Sequence, residues 1–379
     1  MHVQVFAVLA VLGLAQALFA VVLARRFAVR AAPAPGRLPP VSILKPLHGD
    51  EPMLEAALAS LCVQDFPTYQ IVCGVQDPAD PALAVLDQLR ARFPAVAIDV
   101  VVDPTPHGAN RKVANLINML PMARHDVLVI ADSDVHVGPR YLRDLCASMS
   151  QPGVGLATSL YVGLAATRGL PAWLGAGWIN HIFLPGALLA RALGRQDCLG
   201  ATMALQRETL VRIGGLDALS AHLADDNVLG QLVRRLGLRV DLAPCVVATT
   251  VAETSLSALW RHELRWARTI RALEPVGFAA SILQFKLVWA GLVVAAAPGL
   301  PSLIFFAVLW AAGALAARGV ERSLAPHLKG LAFAAPVWLL PLREALSVAV
   351  LIASYAGNQV EWRGHQLSAS RPPMGKIQP

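Results

Sequence analysis

The sequence predicts an α/β domain built on a largely parallel sheet, carried between membrane segments at both ends of the chain. Three observations predict it. Hydrophobic residues make up 56% of the 379 positions and charged residues only 15%, with a mean hydropathy of +0.54, which is too apolar for a soluble protein of ordinary composition. Long apolar stretches stand near the two ends. Between Val41 and Ala272, short β-rich apolar runs alternate with helix-spaced ones, the pattern of strands joined by crossover helices.

The first element is an anchor. From Val3 to Ala24 the chain is apolar apart from Gln4 and Gln16, long enough to cross a bilayer as one helix. Arg25, Arg26, Arg30 and Arg37 follow the apolar stretch. A cleaved signal peptide carries its positive charge before that stretch, so although Ala15-Gln16-Ala17 resembles a cleavage site, the charge order predicts an uncleaved anchor with its N-terminus outside. The Pro/Ala/Gly-rich stretch from Ala31 to Pro40 reads as a short linker.

Candidate strands of the domain are Val41 to Leu44, Gln70 to Val75, Ala97 to Val102, Val127 to Ala131 and Gly155 to Ser159. Between the first two, Met53 to Cys62 carries helix-spaced apolar residues after Asp50 and Pro52, which suit a helix start. Ligands of such sheets gather at the carboxyl ends of the strands, and acidic clusters fall there.

Phe278 to Leu300, Pro301 to Ala317 and Leu331 to Ser354 are further apolar segments, separated by Pro298-Gly299 and by a polar loop with Arg318, Glu321, Arg322 and Lys329. Lys286 interrupts the first of them; Pro336, Pro341, Arg343 and Glu344 interrupt the last. Three full crossings would place the basic tail (Arg363, His365, Arg371, Lys376) outside, against the positive-inside tendency, so one of the three is expected not to cross completely. The expected organisation is an anchor over residues 1–26, a linker over 27–40, the α/β domain over 41–256, an amphipathic interfacial helix over 257–275, membrane segments over 276–356 and a tail over 357–379.

The net charge of +7 is not laid out in basic runs interleaved with aromatics, so no nucleic-acid partner is expected; anionic headgroups and a diphosphate substrate account for it. Cys62, Cys73, Cys146, Cys198 and Cys245 show no metal-ligand spacing and no disulfide framework.

Several clusters carry chemistry, each with a plain structural alternative. Asp132-Ser133-Asp134 follows the strand Val127 to Ala131, and two carboxylates so placed can hold a hard divalent cation that also binds phosphates; acidic turns after strands are also common. Asp77-Pro78-Ala79-Asp80-Pro81 follows another strand, where a carboxylate can meet a uracil or ribose or simply cap the next helix. Gly108-Ala109-Asn110-Arg111-Lys112 reads as a loop entering a helix whose N–H groups and cations suit a diphosphate, or as an ordinary Asn N-cap. Asp225-Asp226 precedes the helical pattern Val228 to Leu236; adjacent carboxylates raise one pKa and can supply a base, though helix N-termini also favour acids. Arg265 and Trp266 lie on an amphipathic helix before the membrane segments, where Arg265 can face a departing diphosphate and Trp266 can wall a pocket or sit at the interface.

In order, Lys45-Pro46-Leu47-His48-Gly49, Val75-Gln76-Asp77-Pro78-Ala79-Asp80-Pro81, Gly108-Ala109-Asn110-Arg111-Lys112, Asp132-Ser133-Asp134, Asp225-Asp226 and Arg265-Trp266 resemble the ceramide glucosyltransferase family, glycosyltransferase family 21. Ile213-Gly214-Gly215-Leu216, Leu342-Arg343-Glu344 and Glu361-Trp362-Arg363-Gly364 extend the resemblance over nearly the whole chain after the anchor. It is similar above all to the bacterial hopanoid-associated branch, whose acceptor is a polyhydroxylated triterpenoid and whose donor sugar is N-acetylglucosamine.

The resemblance implies a GT-A fold, a UDP-sugar donor (UDP-glucose or UDP-N-acetylglucosamine), Mg2+ or Mn2+, a lipid acceptor and inversion at the anomeric carbon. It also implies an integral protein of the bacterial inner membrane with its catalytic domain in the cytoplasm. Asp80, with Asp77 nearby, would touch the uridine; Lys112 and Asp225 would lie near the donor; Asp132 would help hold it and Asp134 the metal. Asp226 would be the general base, and Arg265 with Trp266 would close the site around the leaving diphosphate. His262 stands where the family's (Gln/Arg)-x-x-Arg-Trp element has an amide or guanidinium, a departure that touches a substrate contact. Two other functions use the same residues. A processive polysaccharide synthase shares the acidic clusters but needs a channel, for which four apolar segments are few; a membrane-tethered nucleotide-sugar sensor would bind the donor without turnover.

Overall fold

The computed structural model describes residues 2–30, 38–328, 330–362 and 365–368. Arg37, Lys329, Arg363, Gly364, Arg371 and Lys376 lie outside the described residues. The chain opens with helix α1 (His2–Ala28). Four strands follow, β1 (Val41–Pro46), β2 (Tyr69–Val75), β3 (Ala97–Val102) and β4 (Val127–Ala131), connected through α2 (Leu54–Leu61), α3 (Ala82–Arg92) and α4 (Arg111–Met119). Asp50 and Pro52 do not cap α2; Met53 holds the N-cap position at φ 64° with no side-chain cap.

The next stretch runs through β5 (Val135–His136), α5 (Tyr141–Met149), β6 (Val154–Ala165), α6 (Leu170–Trp178), a π-helical turn (Ile179–Phe183), α7 (Leu184–Ala192), β7 (Thr202–Gln206), α8 (Arg207–Arg212), α9 (Asp225–Arg235) and β8 (Arg239–Val251). The eight strands form one sheet in the order β3-β2-β1-β4-β7-β6-β8-β5. Only the first half is uniformly parallel: β1 pairs with β2 and β4, and β2 with β3, in the parallel sense. In the second half β7 runs antiparallel to β4 and β6, β5 runs antiparallel to β8, and β6 pairs parallel with β8. The sheet is therefore mixed rather than largely parallel. Every residue of β1 is buried, because both sheet faces are covered: Ile43 packs with Leu58, Leu86 and Leu145 on one face, and Leu44 with Leu116, Leu128 and Val233 on the other.

The chain continues through α10 (Leu256–Leu273), α11 (Pro275–Ala280), α12 (Lys286–Ala296), α13 (Leu300–Leu324), α14 (Leu340–Ser354) and a short hairpin of β9 (Gln359–Trp362) and β10 (His365–Ser368). Among the described residues, three helical stretches are long and apolar enough to cross a membrane: His2–Ala28, Leu300–Leu328 and Val337–Ser354. The segment with Lys286 is bent by 59° between Pro275–Gln284 and Lys286–Ala296. At the bend Lys286 passes between two glycines, since a β-carbon on Gly13 would stand 3.1 Å from its Cβ and one on Gly313 2.4 Å from its Cε. Its Nζ reaches Glu344 Oε1 at 2.7 Å. The far ends of α1 and α13 leave the bundle and join the sheet: Ala20, Ala24, Phe27, Val320 and Leu324 share a cluster with Leu160, Val162 and Leu242.

Helix α14 lies beside α10. Leu339 meets Leu259, Arg343 meets Glu263, Val350 meets Ala267, and Tyr355 lies under Arg271 at 5.0 Å. Its polar residues Arg343, Glu344, Ser347 and Ser354 are buried while Leu342 and Ile352 are exposed, the reverse of a soluble surface helix.

Candidate active site

Burial of all five residues of β4 ends at Ala131, and the turn beyond presents Asp132 and Asp134 at the carboxyl edge of the sheet. Neighbouring strands fix that turn. Lys45 of β1, wholly buried, donates from Nζ to the Asp132 carbonyl and, at 3.2 Å, to that of Val135. Thr249 of β8 donates its hydroxyl to Asp134 Oδ2, and the Thr250 N–H reaches the Asp134 carbonyl at 3.1 Å. Burial pushes the Lys45 ammonium down to about 8 against the pull of Asp134 and Asp132.

Helix α4 brings the cation. Asn110 caps it, accepting from the N–H groups of Lys112 at 3.0 Å and Val113 at 3.2 Å. The expectation that the N–H groups at this helix start face a diphosphate is corrected for those two, which the cap already satisfies. Asn110 also ties α4 to the loop ahead of α9, through its N–H to Ser220 O at 2.9 Å and its Nδ2 to His222 O at 2.8 Å. That tie sets the acids of α9 beside those of β4. Lys112 Nζ lies 2.6 Å from Asp132 Oδ1 and 3.3 Å from Asp225 Oδ2, so one ammonium joins both clusters. Burial opposes its charge, but Asp132 and Asp225 outweigh burial and hold the group above its ordinary range.

Burial and the charge of Asp225 raise the Asp226 carboxyl to about 7; burial and Asp132 raise Asp134 to about 6. Gly200 makes room for Asp226: a β-carbon there would stand 2.8 Å from Oδ2.

These groups share one cavity of about 480 Å³ with His262, Arg265 and Trp266 of α10. Its α6–α10 side is aromatic. Tyr161 stacks on Phe183 at 4.7 Å, Phe183 on Trp178 at 5.7 Å, Trp178 lies 4.9 Å from Trp266, and Trp266 meets the His262 ring edge-on at 4.3 Å.

Asp77 and Asp80 are the two expected site residues that do not line this cavity. Asp80 is buried with its carboxylate occupied: both oxygens accept from the Gly49 N–H at 3.1 and 2.9 Å, and Oδ1 accepts from the Ala82 N–H at 2.9 Å. Asp77 closes its own turn by accepting from the Ala79 N–H at 2.8 Å. Asp80 thereby holds the Lys45-to-Gly49 segment, of which Pro46 and Leu47 line the cavity. Sequence reasoning did not single out Glu51, Tyr161, Trp178 or Glu253, which also line it. No local pattern marks them, because they come from a strand, a helix and two loops brought together by long-range pairing.

Among the described residues, no group of three or more His, Cys, Asp or Glu side chains forms a metal cage. Asp132 and Asp134 offer hard oxygen donors on one turn and leave the remaining coordination positions for water and phosphate oxygens, a donor set that fits a divalent cation shared with a diphosphate.

A sheet whose parallel half ends in an acidic turn, with a cavity closed over that edge by a second acidic pair, defines a GT-A nucleotide-diphospho-sugar transferase domain. The fold matches that of a mannosyltransferase from Pyrobaculum calidifontis solved with GDP-Man and Mn2+, with a TM-score of 0.50 and 17% identity over 94% of this chain and 99% of that one. The chain belongs to glycosyl transferase family 21, whose family model matches residues 5–373. Ceramide glucosyltransferase 1 of Caenorhabditis elegans is 21% identical over 258 residues, which is 68% of this chain and 55% of the worm protein. An N-acetylglucosaminyltransferase of Rhizobium leguminosarum bv. viciae is 24% identical over 263 residues, 65% of this chain and 60% of that protein. The chain thus matches less than two thirds of either relative's length.

Proposed function

We propose that the protein transfers a single hexose or N-acetylhexosamine, with inversion, from UDP-glucose or UDP-N-acetylglucosamine to a hydroxyl of a membrane lipid such as ceramide or a hopanoid polyol. One observation carries the reading: Asp132, Asp134, Asp225, Asp226, Lys112, Arg265 and Trp266 converge on one cavity walled in part by α10, the helix that packs on α14. The ceramide glucosyltransferase and N-acetylglucosaminyltransferase relatives support the lipid acceptor and the two donor sugars.

In this reading Asp134, with Asp132, holds Mg2+ or Mn2+, and such an ion supplies positive charge to the donor diphosphate. Lys112 and Asp225 border the donor; Asp80 and Asp77 shape the uridine end through the segment that Asp80 clamps. The acceptor enters along the aromatic side. As its oxygen bonds to the anomeric carbon, its proton passes to the Asp226 carboxylate; the bond to the diphosphate breaks and its electron pair leaves on UDP, facing Arg265 and Trp266. A carboxyl near about 7 is matched to taking that proton at neutral pH.

The reading includes a location in the bacterial inner membrane with the catalytic domain in the cytoplasm, and Arg25, Arg26 and Arg30 at the end of α1 that adjoins the sheet support that orientation. The test incubates membranes containing the protein with radiolabelled UDP-glucose or UDP-N-acetylglucosamine and identifies the labelled lipid by mass spectrometry. One added sugar is expected; a ladder of products would point to a synthase, and no labelled lipid would remove the transferase reading.

A further inference from the structure

We propose that Glu253 and His262 form a second subsite in this cavity, one that binds hydroxyl groups on the head of the acceptor lipid. It rests on the transferase reading above and adds a residue, Glu253, and a role for the pair. Glu253 follows β8 and His262 belongs to α10; His262 Nδ1 hydrogen-bonds Glu253 Oε1. With a carboxylate on that side, Nδ1 carries the proton and Nε2 is the ring's second hydrogen-bonding nitrogen. Burial works against the Glu253 charge, yet the hydrogen bond from His262 keeps its carboxyl below the usual range.

The dyad lies apart from the Lys112, Asp132 and Asp225 cluster that borders the donor, and its aromatic surroundings suit the acceptor. Lys112, Asp132 and Asp225 are held together on the β4, α4 and α9 side. The dyad stands on the α6–α10 side: Glu253 Oε2 would lie 3.7 Å from a β-carbon on Gly175 of α6, and His262 ends the run of rings from Tyr161 to Trp266. An aromatic wall takes apolar rings and chains but offers few hydrogen bonds. A carboxylate and an imidazole set into it supply acceptors for hydroxyl hydrogens, as pockets that orient amphipathic ligands do with a few polar groups. The His262 side chain remains 32% exposed, so the pair is not sealed in the core.

The test is steady-state transfer by the full-length protein in membranes, with vesicles of host lipid extract as acceptor and the two labelled UDP-sugars as donors. Wild type is compared with H262F, E253Q and the double variant; Phe keeps a ring edge against Trp266 but neither hydrogen bond. Each single variant is expected to raise the lipid concentration for half-maximal rate by about 3- to 10-fold, the loss for one ordinary hydrogen bond. UDP affinity and donor KM stay within about 2-fold, and the double variant is no worse than the worse single, because the pair acts as a unit. E253D, which keeps the charge, restores part of the loss. UDP titration checks the fold of each variant independently, and H262Q replaces H262F if that variant no longer binds UDP. Unchanged lipid half-saturation, a parallel loss of UDP affinity, or losses that multiply would overturn the subsite while leaving the transferase reading intact. If wild type labels no lipid, both fall.

Discussion

Asp226 is a carboxylate placed where the fold resists its charge, buried and beside Asp225, and that cost is the reason it can serve as a base near neutrality. Asp226→Asn should lower turnover by about 10²- to 10⁴-fold, the usual worth of a positioned base, while UDP affinity measured by calorimetry stays near wild type. In the wild type the rate should fall as pH drops through about 7, because the base must be ionised. Stability runs the other way. The folded protein holds this proton more tightly than the unfolded chain, so ionisation costs stability above pH about 7 and nothing below the unfolded value near about 4. Asp226→Asn should therefore melt higher than wild type at pH 8, and the gap should close toward pH 4. Asp134 obeys the same sign: its carboxyl, raised to about 6, must lose a proton to bind a cation, so Mn2+ affinity should weaken as pH falls through about 6, and chelation should stop transfer. Activity that survives exhaustive chelation would remove Asp134 from that role. Acids at a strand end or a helix start were legible in the sequence because their local context is the signal; the occupied carboxylate of Asp80 was not, because the Gly49 N–H that fills it lies on another strand's loop.

At the scale of elements, one buried ion pair holds α10 in register. Arg343 of α14, 1% exposed, meets Glu263 through two contacts of 2.6 Å and also donates to the Leu174 carbonyl of α6 at 3.1 Å and to Ser347 at 3.2 Å. Glu263 is flanked by His262 and, two positions on, Arg265, so the pair fixes the helix that presents the cavity's α10 side. Arg343→Met alone should destabilise the protein by about 3–5 kcal/mol, because it strands a buried carboxylate; the double change with Glu263→Met should recover most of that loss. Melting of the detergent-solubilised variants checks the difference. If both lose equally, the pair does not act as a latch. The strands of the parallel half were legible because each is a short apolar run after a helical pattern. Strands β7 and β8 were not, since β7 is built on Met203, Ala204 and Leu205, which favour helix, and β8 carries Asp241 and Pro244, and their place is set by pairing with β4 and β6.

For the whole molecule, the packing of the apolar segments leads to a prediction of which one does not cross. The sheet marks one side of the membrane, and both Phe27 at the end of α1 and Leu324 at the end of α13 join it. Helix α13 thus runs toward the sheet and its start at Leu300 lies on the far side. Phe6, near the start of α1, stacks on Trp289 of α12, while Gly13 meets Lys286, so α12 climbs away from the sheet and the bent pair completes a crossing. About 18 residues of α1 before Ala20 remain for the bilayer, about 27 Å of helix. Helix α14 is also long and apolar enough to cross, but we expect it not to complete a crossing. It keeps contact with α10 from Leu339 to Tyr355, and the N–H groups of Arg271 reach the carbonyl of Gly357, which holds the chain beyond it on the sheet's side. All five native cysteines are buried, so introduced ones report alone. With a membrane-impermeant thiol reagent on intact cells, Gly299→Cys should label and Gly357→Cys should label only after the membrane is opened. Labelling of both from outside would make α14 a crossing helix, and labelling of neither would make the bent pair a re-entrant loop.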